Sequence, residues 1–198
     1  MEQIKDGTGT GYLAKVDANN QIHVASIVST ATEDATKQGN SYNINTGLIP
    51  LTSSTESGIF YFKNEESPVS GESDFVLDAL AIGIDSLGTT AGMSLITVVK
   101  NPTSVSFSTA VDMNENRNFG SSNELSSLAY KGAEAATITG GDDVGIFYQN
   151  PGTRGYYTLN FDLPRGSSIA VKIDTQTSAG TTNVYCALIG HRVDGKNR

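Results

Sequence analysis

The sequence predicts an all-β protein, an antiparallel β-sandwich of jelly-roll type preceded by an extended N-terminal arm. Three observations carry that expectation. Roughly ten short apolar runs, several alternating with period two, follow one another along the chain. Gly, Asn, Ser, Thr and Pro separate them at turn-like spacing, and Gly alone contributes 21 of the 198 residues. Only one short segment carries a helical signal.

Residues 1 to 20 (MEQIKDGTGTGYLAKVDANN) combine Gly7, Gly9 and Gly11 with Thr and Asn. That composition cannot offset its ordering entropy by burial, so this stretch is expected to be an arm and residues 21 to 198 a single domain. Gln21 to Val28 reads as a first strand, with Ile22, Val24 and Ile27 apolar. Thr30 to Gly39 is the helical candidate, because Thr30 and Glu33 have capping-box spacing and Gly39 is placed to end it.

From Gly47 onward strands dominate. Leu48 to Leu51 and Gly58 to Phe62 are short β candidates around the polar turn Thr52 to Ser57. Phe75 to Ile84 is apolar on both alternating faces, which predicts a strand covered twice, by the core and by a further layer. Met93 to Val99 repeats this more weakly. Ser168 to Thr175 alternates cleanly and predicts a half-exposed strand, with Ile169, Val171 and Ile173 inward. Val144 to Tyr148, Tyr156 to Phe161 and Val184 to Val193 complete the set, joined by turns at Asn150-Pro151-Gly152, Leu163 to Gly166 and Ser178 to Gly180. Connections this short favour antiparallel neighbours, and with so little helix two sheets must cover each other.

Composition narrows the chemistry. A net charge of −8 and an absence of Lys/Arg clusters argue against a nucleic-acid partner. No apolar run reaches the ~18 residues of a membrane helix, and no signal peptide opens the chain, so a soluble protein made in the cytoplasm is expected. Cys186 is the only cysteine, inside an apolar run, and is expected to be a core side chain.

Candidate sites are few. His23 and His191 lie far apart in sequence, without a G-x-S-x-G elbow, and are expected to be surface or packing residues. Asp142 and Asp143 are adjacent and do not define a glycosidase pair. Gly7 to Gly11 lacks the Gly-Lys-Ser/Thr ending of a phosphate loop. Asp112, Asn114 and Asn116 have calcium-loop spacing, but Arg117 stands where the loop needs Gly and Asn123 where it needs Glu. No catalytic residue, metal or cofactor is therefore expected. Tyr130, Tyr148, Tyr156 and Tyr157 are the aromatic side chains from which a carbohydrate platform would be built.

The segment VVKNPTSVSFSTAVDMNENRNFGSSNELSSLAYKG (Val98 to Gly132) resembles a family of small virion structural proteins of tailed bacteriophages, as do DGTGTGYLAKVDANNQIHV, YNINTGLI and LPRGSSIAVKI. The resemblance implies a non-catalytic particle component present in many copies: a capsid decoration, cement or head-fibre protein, or else a neck, tail or baseplate protein. A third possibility is a carbohydrate-binding module of a receptor-binding apparatus. A homo-oligomer, with a trimer favoured, is expected to join other capsid or tail subunits through two sets of residues. Tyr12, Leu13, Val16, Ile22 and Val24 would act from the arm, and Phe75, Leu77, Leu80 and Ile82 from the doubly apolar strand.

Overall fold

The computed structural model describes residues 30–66, 73–113 and 116–194. The expected arm, its anchors Tyr12, Leu13, Val16, Ile22 and Val24, and His23 all lie outside the described residues.

One helix and fifteen strands make up this part of the chain. The helix α1 (Ala31–Lys37) forms where the capping signal predicts it. Glu33 and Asp34 in its first turn and Lys37 in its last complement the helix dipole, and Gly39 ends it at φ 74°. The strands are β1 (Ser41–Asn45), β2 (Ile49–Leu51), β3 (Ser57–Lys63), β4 (Ser73–Ile84), β5 (Thr89–Thr90), β6 (Ser94–Lys100), β7 (Ser104–Val105), β8 (Thr109–Ala110), β9 (Leu128–Lys131), β10 (Ile138–Thr139), β11 (Asp142–Gln149), β12 (Thr153–Leu163), β13 (Ser168–Asp174), β14 (Thr177–Ala179) and β15 (Thr182–Asp194).

Two antiparallel sheets face each other. One runs β1-β15-β4-β12, with β2 also paired to β15, and the other β11-β6-β13-β3-β9-β8. Their pairings are nested: β1 with β15, β3 with β13, β4 with β12, and β6 with β11. The chain therefore behaves as one long hairpin folded onto itself, and β15–β4 and β13–β6 seal the fold. A single cluster fills the space between the sheets. Tyr42, Phe75, Leu80, Ile82 and Leu188 come from the first sheet, and Phe60, Phe62, Ile96, Val171 and Ile173 from the second. Phe62 and Phe75 meet across the gap with ring centroids 4.8 Å apart.

The β1 strand Ser-Tyr-Asn-Ile-Asn carries too little apolar signal to stand out in the sequence. It exists because Tyr42 and Ile44 both bury completely beside β15. The ribbon β7–β10 lies in the long β6–β11 connection. Ile138 and Phe107 close over Gly58, filling the space that a side chain there would take. β13 is not the half-exposed strand its alternation predicts: Ala170, on its outward face between Tyr61 and Val99, has no exposed surface.

The expectation for Phe75, Leu77, Leu80 and Ile82 is corrected. All four have 0% exposure and point into the chain's own core, so none is open to a neighbouring subunit. Strict alternation would put Phe75 and Leu77 on one face and Leu80 and Ile82 on the other. The pairing with β15 skips Asp78, and this bulge reverses the parity so that both pairs face inward.

At the end of the core where β15 finishes, a buried ionic knot joins four segments. Glu66 accepts hydrogen bonds from the backbone N–H groups of Ser126 and Ser127 (2.7 and 3.1 Å) and from the Ser127 hydroxyl (3.0 Å). Its other oxygen takes Arg192 Nη1 at 3.2 Å, and Arg192 Nη2 reaches Asn40 Oδ1 at 3.0 Å. Tyr42 sits beside this knot. Its phenol is pushed up by burial, an effect that Arg192 opposes and Glu66 reinforces. Removing Glu66, whose carboxylate is buried, would leave the largely buried Arg192 guanidinium without its counter-charge. Glu66→Ala is expected to lower unfolding free energy by about 3 kcal/mol or more. Lys63→Ala, which breaks the exposed Lys63–Glu65 pair, is expected to cost less than about 1 kcal/mol. Urea denaturation of both variants separates these outcomes.

Candidate interaction surface

β11 and β12 end their respective sheets on the same side of the sandwich, joined by the turn Asn150-Pro151-Gly152. Among the described residues each has a strand neighbour on one flank only. Their inward side chains close the core. Phe147 and Tyr157 stack with centroids 4.2 Å apart, and the Tyr157 hydroxyl donates to Gln149 Oε1 at 2.8 Å. Gln149 Nε2 in turn donates to the carbonyls of Ile82 (3.1 Å) and Thr153 (2.9 Å), tying the edge to both sheets. Burial raises the pKa of the Tyr157 phenol, which keeps it a donor.

The outward side chains are unusually apolar for an open edge. Val144 is 39% exposed, Ile146 58%, Tyr148 65% and Tyr156 61%, and these are half of the eight large apolar side chains left open among the described residues. Charge is sorted along the same two strands. Asp142, Asp143 and Asp162 lie at one end, and the only cation, Arg154, lies at the other, its guanidinium carbon 5.7 Å from the centroid of the Tyr185 ring. Lys100 pairs with Asp142 in the ladder and offsets part of the acidic end.

At that acidic end the sheets part to form a groove of about 550 Å³, lined among others by Lys100, Asn101, Asn160, Phe161, Asp162 and Ile169. Two bulges shape its mouth, one at Val144 in β11 and one at Leu159–Asn160 in β12. Asn101 and Asn160 both take left-handed backbone angles, φ 46° and φ 51°. Asn101 is held there by exchanging hydrogen bonds with Ser168: its N–H reaches the Ser168 carbonyl and its Oδ1 accepts the Ser168 N–H, each at 2.9 Å.

The remaining candidates are accounted for by packing. His191 is buried, with Nδ1 3.1 Å from both oxygens of Asp78. Ser41 lies opposite it in the ladder. The Ser41 hydroxyl, however, donates to the Gly190 carbonyl (3.5 Å) and accepts from Arg117 (3.3 Å), so it is engaged away from the imidazole. Cys186 is fully buried, and burial pushes its thiol up, away from the reactive thiolate.

Asn116, the last residue of the calcium-loop pattern, uses its amide for a different purpose. It donates to the carbonyls of Gly39 (2.7 Å) and Asn123 (3.2 Å). Asn118 donates to the Lys37 carbonyl (3.0 Å), and Asn123 to those of Gln38 (3.4 Å) and Gly39 (3.2 Å). The loop thus caps the C-terminus of α1 with side-chain amides, which present N–H groups rather than ligand oxygens. Among the described residues no group of three or more His, Cys, Asp or Glu side chains could hold a metal.

The four tyrosines of the carbohydrate platform are dispersed. Tyr157 faces the core, whereas Tyr156 pairs with Ala81 on the outer face of the first sheet. Tyr148 and Tyr130 share the outer face of the second sheet but stand four strands apart, ~19 Å at the usual strand spacing. Tyr130 is stacked on Tyr61 at 6.1 Å. The sequence exposed the apolar content of the edge, yet no local signal marked which strands would end the sheets.

No family model matches the chain, and the search of curated proteins returns no match. Two outcomes follow from the loop geometry. Asn123→Ala is expected to lower stability by about 1 kcal/mol through loss of the helix cap. The melting temperature is expected to stay the same with calcium or with a chelator, as differential scanning calorimetry would show.

Proposed function

We propose that this chain is a structural component of a tailed-bacteriophage virion. It acts as a capsid decoration, cement or head-fibre protein by oligomeric packing and by attachment to neighbouring subunits. The observation that carries the reading is the lateral edge, two sheet-ending strands whose outward side chains are apolar although they face solvent. A chain that works alone gains nothing from such an edge and risks aggregation, whereas a particle component covers it on assembly.

The nested order of the eight long strands supports a jelly roll, a double-sheet design that recurs in capsid proteins. The segments that carry the family resemblance span structural parts of it. YNINTGLI runs from β1 into β2, and LPRGSSIAVKI runs from the end of β12 through most of β13. The acidic, polar remainder of the surface, with a net charge of −8, keeps a many-copy assembly soluble.

Attachment is assigned to the N-terminal arm, whose Tyr12, Leu13 and Val16 are its apolar anchors. Deleting residues 1–20 is expected to leave cooperative melting intact, because the described core is built from residues 42–188. Binding to particles that lack the native copy is expected to fall at least tenfold. Co-sedimentation with such particles measures it, and imaging of decorated particles locates the density. If the full chain does not bind particles at all, the virion reading is wrong.

A further inference from the structure

We infer that the β11–β12 edge is the contact surface for a second copy of this chain, joined about a two-fold axis that runs along the sheet normal and inverts the strands. The inference deepens the packing role proposed above and rests on it for its biological meaning.

An isologous contact must be complementary to itself. Two simple two-folds bring this edge against its own copy. An axis along the strands would set β11 beside the partner's β12 with like ends together, placing Asp142 and Asp143 next to Asp162 of the second copy, which like-charge repulsion disfavours. An axis along the sheet normal reverses the ends. Arg154 then meets the acidic end of the other copy, and this contact occurs twice. β11 pairs antiparallel with β11, and β12 with β12, so both sheets continue across the junction.

The side chains also set the register. Residues directly opposite each other in an antiparallel ladder must share a face. Ile146 and Tyr148 pair with Thr97 and Leu95 of β6 on the outer face of their sheet. Centring the axis on Ile146 sets it against its own copy and sets Tyr148 against Val144, so the exposed apolar side chains of β11 cover one another. The Phe147–Tyr157 stack shows that the two edge strands run level around this point, which puts Thr158 of β12 on the same axis. Arg154 and Asp162 lie four residues to either side of Thr158, so each approaches its opposite in the second copy. The bulge at Leu159–Asn160 takes up one residue, so Asp162 stands one rung nearer the axis than Arg154, an offset that their long side chains span. Such a contact closes as a dimer, in place of the trimer expected from the sequence.

The position of Ile146 gives a direct test in the full chain. Opposed residues in an antiparallel ladder have Cα atoms ~4.5–5.5 Å apart, within the ~4.4–6.8 Å that a disulfide spans. The one native thiol, Cys186, is buried. Ile146→Cys is therefore expected to form a reducible dimer under mild oxidation. Phe119→Cys, more open still and carried by the loop that bridges to β1 at the opposite end of the first sheet from β12, is expected to stay monomeric on the same gel. By sedimentation equilibrium the native chain is expected to be a dimer. Arg154→Asp and Asp162→Arg should each weaken it about tenfold, and the double exchange should restore it.

A native chain that sediments as a monomer or a trimer overturns the inference. So does cross-linking of Ile146→Cys no faster than Phe119→Cys, or a dimer indifferent to both charge reversals. The virion reading fails separately, by loss of particle binding. A dimer that does not bind particles keeps the two-fold edge and discards the virion role, and a particle-binding monomer does the reverse.

Discussion

The fold depends on a nested antiparallel ladder that brings the two ends of the sandwich together. Ser41 pairs with His191, and β15 lies between β1 and β4 in the centre of its sheet. Nearly every strand finds its partner far along the chain. Among the described strands only β8 and β9 pair with an immediate neighbour in the chain, and even the innermost nested pair, β6 and β11, is separated by four short strands. The entropy of closing these loops must be met before the core can form, so cooperative formation around the β15–β4 and β13–β6 seams is the physical requirement. The Glu66–Arg192 knot lies at the end of this ladder and fastens the last strand to the loop before β9. An isolated surface ion pair could not do this, because only a pair withdrawn from water penalises every arrangement that separates the partners.

Bulges do as much as strands to define the surface. In β4 the unpaired Asp78 turns two apolar sets onto one face and leaves the small residues Ala79, Ala81 and Gly83 on the other. The Tyr185 ring lies across Gly83, where any side chain would collide with it. In β11 and β12 the bulges stand at the same end and open the groove between the sheets. An extra residue costs ladder hydrogen bonds, and here it redirects side chains at the positions where the sandwich meets its surroundings.

The lateral edge combines features that a solitary domain suppresses. Edge strands are commonly protected by charge, by proline or by a covering loop. β11 and β12 confine their charges to the strand ends and keep Ile146, Tyr148 and Tyr156 open in the middle. The hydrogen bonds of Gln149 hold the strands firm from inside, so the surface is preorganised and little ordering entropy is lost when it is covered. Apolar area supplies the attraction and the sorted charges select the orientation.

The sequence by itself determined the all-β class, most of the long strands, the position of α1 and the burial of Cys186. Each of these follows from local rules: period-two alternation, turn residues, capping spacing and apolar content. Only the tertiary structure decided where faces and edges lie. Phe75, Leu77, Leu80 and Ile82 became core because a bulge changed their parity, and Ala170 on the outward face of β13 is buried where β13 lies between β3 and β6. β1 became a strand because β15 was there to receive Tyr42 and Ile44. Asn116, Asn118 and Asn123 became a helix cap because the loop that carries them folds against α1. Val144 to Tyr148 was legible as a strand, but not as a sheet's end. A side chain's exposure is set by what packs against its strand from far along the chain, and that information is absent from any local window of sequence.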